Sequence, residues 1–205
     1  MIAVLTGDII RSRHIESADW LPELKDVLAH VADSPNDWDI HRGDGFQVRI
    51  DDPANAFSNA LLIRSRLLAK SSVEARIAIG VGNADQSRRD VAESSGPAYM
   101  RSGLLLTTIT NDKRTLGFSC GNAHVDRDID LVFRLADQLI GMWTKATAEY
   151  VYTTQQYPEE TQQGIATMLG IAQSTASERG TRSHIAELRL VEKWFKERVT
   201  EFKSA

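Results

Sequence analysis

A single cysteine, Cys120, stands in a chain of 205 residues. That scarcity excludes an internal disulfide framework and a cysteine-rich zinc site, and makes a reducing, cytoplasmic setting the simplest expectation. No apolar run approaches the ~18 residues that a membrane helix needs, so no membrane partner is expected. No basic leader precedes Met1-Ile2-Ala3-Val4-Leu5, which passes straight into Thr6-Gly7-Asp8, so no signal peptide is expected either. Internal repeats and low-complexity tracts are also lacking. Neither sign of charge dominates: the net charge is -4, and residues 161–205 hold seven Lys/Arg against five Asp/Glu. That mild local excess permits a nucleic-acid-binding C-terminus without requiring one. What remains is an ordinary globular composition, 42% hydrophobic and 25% charged, long enough for one full core or two small ones.

Hydrophobic periodicity supplies the elements. Residues 2 to 7 are apolar and β-favouring, and Asp8-Ile9-Ile10 continues that strand into a loop, Arg11-Ser12-Arg13-His14. Trp20, Leu21, Leu24, Val27, Leu28 and Val31 recur at helical spacing and predict a helix over 18–32. Asp51-Asp52-Pro53 starts a second helix, with an aspartate cap and proline at the first helical position, and it runs to about Lys70. Ala75 to Gly82 alternates as a strand, 83–94 is polar and loop-like, Gly96-Pro97-Ala98 opens a third helix through Leu106, and Thr115 to Ser119 is strand-like. After Asn122 strand-like runs cease. One long helix is predicted from about Asp130 to Tyr150, then shorter ones over 161–169, 172–183 and 185–202. The last carries an apolar stripe of Leu188, Leu190, Val191, Trp194, Phe195 and Val199, suited to the core or to a partner subunit.

Chemistry concentrates at two Gly-Asp pairs. Gly43-Asp44-Gly45 lies between the short strand-like runs of Ile40 to Ile50, the strongest short-range hairpin signal. Gly7-Asp8 closes the first strand. If that strand and the hairpin are neighbours in one sheet, both carboxylates meet at one end of it. Magnesium favours one or two carboxylates plus phosphate and water oxygens, and glycine lets a backbone approach a triphosphate closely. The plainer alternative is that Asp44 serves the turn and Asp8 caps a loop. Arg11, Arg13 and Arg42 would suit phosphate as bidentate donors, or would simply solvate loops. Other candidates read as structural: Gly80-Val81-Gly82 lacks the third glycine of a dinucleotide fingerprint, His41 is an exposed strand residue that could serve as a base, Cys120 and His124 have no third ligand, and the four tryptophans suit core or interface.

Four segments, in order, resemble the palm domain of class III nucleotidyl cyclases and their GGDEF relatives: Val4-Leu5-Thr6-Gly7-Asp8-Ile9-Ile10-Arg11-Ser12, Gly43-Asp44-Gly45-Phe46, Arg76-Ile77-Ala78-Ile79-Gly80-Val81-Gly82, and Gly96-Pro97-Ala98-Tyr99. Together they span about residues 2 to 106. The chain as a whole is most similar to the SatD family of bacterial proteins, which share "T-G-D-I-x-x-S-R", "R-G-D-x-F-Q" and "G-P-A-[FY]" and end in a helix-turn-helix. The resemblance implies a ferredoxin-like palm, an α+β antiparallel sheet with helices on one face. It implies Asp8 and Asp44 as Mg²⁺ ligands with the Ile9 carbonyl as a third. Arg11, Arg13, Arg42, Gly43, Gly45 and Arg101 would then lie around the phosphates of a nucleotide. It also shows departures: Met100 and Leu104 stand where cyclases carry the asparagine and arginine of the transition state, and Ile40 where a lysine reads the purine. The machinery for cyclisation is therefore expected to be missing.

Thr161 to Ser177 has its own logic. Ile165, Ala166 and Leu169 form the inner face of one helix, Gly170 permits a sharp turn, Ile171 plugs the junction, and Gln173 opens a second helix with small residues. The run resembles the helix-turn-helix of bacterial regulators, over about 161–184, in which the second helix enters the major groove. On that resemblance Gln173, Ser174, Thr175, Ser177, Arg179 and Arg182 would face DNA. Glu178 on the same helix opposes this, and Gly180 weakens the helix. A helical hairpin for protein contacts is the alternative. The resulting expectation is two domains, a palm-like 1–125 and an all-α 126–205. Together they would form a homodimeric bacterial DNA-binding regulator with a metal- and nucleotide-sensing domain. The alternatives are a Mg-dependent nucleotidyl-transfer enzyme and an inactive palm used as an oligomerisation scaffold.

Overall fold

The computed structural model describes residues 1–41, 43–83 and 95–204. Arg42 and almost all of the expected loop at 83–94 lie outside the described residues. In chain order the elements are β1 (Ile2–Ile9), α1 (Ser17–Val31), β2 (Trp38–His41), β3 (Gly45–Ile50), α2 (Ala56–Ser71), β4 (Ala75–Gly82), α3 (Pro97–Asn111), β5 (Leu116–Ser119), α4 (Ala123–Gly141), α5 (Lys145–Gln156), α6 (Gln162–Met168), α7 (Gln173–Ser183) and α8 (Ile185–Ser204). The strands form one five-stranded sheet of order β2-β3-β1-β4-β5. The first four run antiparallel to their neighbours and β5 is parallel to β4, so the protein is α+β with a mixed sheet. No helix among the described residues is long and apolar enough to cross a membrane.

Helices cover both faces of this sheet, not one. Ala3, Leu5 and Ile9 of β1 and Ile77, Ile79 and Val81 of β4 join the main core with α1 and α2. The alternate residues, Ile2 and Val4, pack on Ala98 and Tyr99 of α3. Deeper on the same side, Thr6 Oγ1 and Ser102 Oγ are hydrogen-bonded at 2.7 Å, with Gln47 donating to Thr6 at 2.9 Å. The unbroken apolar run Ile2 to Leu5 already signals this, because strands covered on both faces lose their alternation.

The C-terminal helices share the main core. Phe57 of α2, Phe118 of β5, Phe133 of α4 and Phe195 of α8 pack ring to ring at 5.1–6.1 Å. The boundary expected at 125/126 falls inside α4, and the core runs through it. The long helix expected over 130–150 is two helices. Thr144 starts α5 as its cap, accepting from the Thr147 amide, and the buried Trp143 in the break donates through its indole N–H to the Ser183 carbonyl at 2.9 Å. The apolar spacing carries across this break, which is why the sequence reads as continuous. The α2 start expected at Asp51-Asp52-Pro53 is preceded by a single 3-10 turn, Pro53–Asn55, capped by Asp52.

A buried ion pair locks α2 to α4. Arg64 Nη1 lies 2.9 Å from Asp137 Oδ1. Asp137 also accepts from the Thr115 amide at 2.8 Å and from the Thr115 hydroxyl, beside the start of β5. Burial by itself would raise the Asp137 pKa, but Arg64 and the Thr115 donors outweigh it and hold the carboxyl below the usual carboxylate range. Removing one member strands a buried charge, so Asp137→Ala is expected to cost about 3–5 kcal/mol in denaturant unfolding. Because the folded-state pKa is depressed, this contribution is present above the ordinary aspartate pKa and is lost as pH falls through the folded value. The wild type should therefore lose more stability than Asp137→Asn on acidification through that range, measured by unfolding at a series of pH values.

Candidate functional site

The register of β1 assembles the carboxylates. Asp8 lies opposite Gly45 of β3 and opposite Arg76 of β4. The Ile9 amide donates to the Asp44 carbonyl at 3.1 Å, which ties the hairpin turn to the end of β1. Asp8 and Asp44 thus meet at one end of the sheet, close enough for the charge of Asp44 to act on Asp8. The turn conformation comes from Gly43, whose φ of +91° suits glycine, whereas Gly45 is small because a Cβ there would crowd the His41 ring at 3.0 Å. His41 is a rim residue, 4.0 Å from Asp39, with both side chains exposed.

Each carboxylate has a partner. One terminal nitrogen of Arg76 donates to both oxygens of Asp8 at 2.9 Å each, and Arg76 Nε donates to the Arg114 carbonyl at 3.1 Å. The Ser12 hydroxyl donates to Asp44. Burial is the largest influence on Asp8 and raises its pKa; Arg76 opposes this, and Asp44 adds to it. Arg76 and Ser12 carried no site role in the sequence reading, although both sit in quoted motifs. Only the strand register and the 3-10 turn at Ser12–His14 reveal what they touch.

Of the expected phosphate-binding residues, Arg11 and Arg13 flank Ser12 on this turn and are exposed, without an ion pair among the described residues. Arg42 lies outside the described residues. Arg101 is elsewhere: its guanidinium donates to the Val81 carbonyl at 2.6 Å and fills the space beside Gly82 and Gly121. Val81 is five strand positions from Arg76, about 17 Å along β4. Arg101 therefore packs at the other end of the sheet and does not join the carboxylates. Met100 and Leu104 are exposed on the same helix. A cleft of ≈ 280 Å³, not expected from sequence, opens beyond Asp8 between Ile10, Arg11, Ile15, Ser72, Val73 and Glu74.

A second candidate surface lies on α6 and α7. Ile165, Ala166 and Ala176 bury against Tyr150 of α5, with Leu169 and Ile171 packed around them. The chain turns between the helices at Gly170, φ +63°. Gln173 and Ser174 are exposed at the start of α7, and Gln173 donates to Gln162 of α6 at 2.7 Å. Thr175 and Ser177 are half-buried. Arg179 is turned away from the outer face, pairing with Glu149 of α5 at 3.1 Å. Arg182 pairs with Glu178 at 2.7 Å on the exposed side, so the negative charge of Glu178 is matched. Gly180 has a packing reason: a Cβ there would press on the Tyr150 hydroxyl at 3.1 Å.

Among the described residues no three His, Cys, Asp or Glu side chains gather into a metal-ligand group. Two carboxylates with a nearby hydroxyl fit Mg²⁺ held jointly with phosphate, since that ion keeps water and substrate oxygens in its shell. Burial pushes the Cys120 thiol up to about 12, which disfavours the thiolate. Comparison with protein-family models, curated proteins and solved structures gives no match. The convergence of the carboxylates is testable in solution. Asp44→Asn is expected to lower the Asp8 pKa by removing a like charge, read from the carboxyl ¹³C shift during a pH titration. An unchanged Asp8 titration would mean that the two groups do not meet.

Proposed function

We propose that this protein is a nucleotide-responsive DNA-binding regulator. The observation that carries the reading is the placement of Asp8 and Asp44 together at one sheet end, next to the turn that bears the exposed Arg11 and Arg13. On this reading Asp8, Asp44 and the Ile9 carbonyl hold Mg²⁺, while Arg11, Arg13 and the Gly43–Gly45 turn take the phosphates of a nucleotide. The strand order β2-β3-β1-β4, with helices after β1 and β3, is that of a β-α-β-β-α-β ferredoxin-like unit and supports the palm resemblance. The two short helices α6 and α7 with their tight turn support the helix-turn-helix reading, with Gln173 and Ser174 outermost. The modest positive charge of this region suits a homodimer reading two half-sites. The apolar, exposed Met100 and Leu104 favour binding of the nucleotide over its turnover.

Two measurements test this. Nucleoside triphosphate is expected to bind only with Mg²⁺ and without product formation, and Asp44→Ala should weaken binding by about tenfold or more. Turnover abolished by Asp44→Ala would instead establish a nucleotidyl-transfer enzyme. Duplex DNA should bind at low salt, weaken as salt rises, and lose sequence preference in Gln173→Ala. Absence of any DNA association at low salt would sink the regulator reading.

A further inference from the structure

The partner of Asp8 decides what the site can accept. Arg76 is mostly buried, is anchored by Nε on the Arg114 carbonyl, and spends one terminal nitrogen on both oxygens of Asp8. A cation bound by Asp8 must share those same oxygens with a guanidinium. At the strand ends and turn that meet here, Asp8, Asp44, Glu74 and the rim residue Asp39 are acidic, and Arg11, Arg13 and Arg76 are basic. A bare dication therefore meets an Asp8 whose two oxygens already accept from Arg76, with acidic charge offset in large part by guanidinium groups. A metal–polyphosphate complex differs: its metal can take Asp8 and Asp44, while its anionic oxygens offer Arg76 a replacement acceptor and engage Arg11 and Arg13.

We propose that Arg76 is a built-in competitor of the free cation, moving from Asp8 to phosphate when a metal–polyphosphate complex arrives, so that the site selects the complex over the bare ion. This rests on the nucleotide-binding reading above and adds a residue and an order of preference to it. No bond is made or broken; one guanidinium exchanges a carboxylate acceptor for a phosphate one. Arg76 is a positioning residue in this scheme, since it governs the availability of Asp8.

The test is calorimetric titration of the full chain with MgCl₂, with sodium tripolyphosphate, and with both together. The variants are Arg76→Gln, Arg76→Lys and Asp44→Asn, each checked for a wild-type circular dichroism spectrum and cooperative melt. The wild type is expected to bind the magnesium–tripolyphosphate mixture at least about tenfold more tightly than Mg²⁺ alone. Arg76→Gln should tighten Mg²⁺ alone by about tenfold and weaken the complex, while Arg76→Lys, which keeps the charge but has no Nε to hold the Arg114 carbonyl, should fall between the wild type and Arg76→Gln in both. Binding of the complex that Asp44→Asn abolishes, with Mg²⁺ affinity unchanged or reduced in Arg76→Gln, would overturn the competitor role and leave the nucleotide reading standing. No binding of any of the three ligands by the wild type would overturn both.

Discussion

β1 is buried on both faces, and that burial holds its register. A slip of one residue would send Ala3 and Leu5 out of the main core and drive Val4 and Thr6 away from α3, so both layers of packing oppose it. The same register sets Asp8 opposite Gly45 and Arg76 at once. The candidate site thus needs little stabilisation of its own. Its geometry is a consequence of core packing at the other end and along the length of the strand. The 3-10 turn after β1 and the hairpin turn after β2 then bring Ser12 to Asp44.

The C-terminal helices are mounted on this framework rather than appended to it. The aromatic cluster and the Arg64–Asp137 pair bind α4 and α8 to α2 and β5. Through Trp143 and Tyr150, α7 is in turn seated on the segment that follows α4. A continuous packed path therefore joins the sheet to α6 and α7. The two buried or half-buried aspartates also show how surroundings sort carboxylates. Asp137, ringed by donors, has a lowered pKa, whereas Asp8, desolvated and close to another carboxylate, has a raised one despite Arg76.

Much of the element order was legible because it is written in local signals. Alternation and apolar runs located β1 and β4, Asp44-Gly45 located the hairpin, Gly96-Pro97 located the start of α3, and Gly170 separated α6 from α7. The misreadings were of two kinds. Apolar spacing carried across Thr144 and hid the break between α4 and α5, because a single cap residue leaves periodicity intact. The sheet was expected to be covered on one face although the unbroken apolar run Ile2 to Leu5 already points to two, and the core that runs across 125/126 rests on partners distant in sequence, such as Phe57 with Phe195, which leave no local trace.

The candidate site divides in the same way. The sequence by itself determined that Asp8 ends a strand, that Asp44 sits at a glycine-flanked turn and that arginines surround both, since propensity and turn chemistry act over a few residues. Only the tertiary structure decided that Asp8 and Asp44 lie at the same end of the sheet, that Arg76 rather than Arg101 pairs with Asp8, and that Arg179 faces α5 instead of the outer surface of α7. Those outcomes depend on strand register and helix rotation, which are settled by how the whole core fills its space. No window of sequence carries that information.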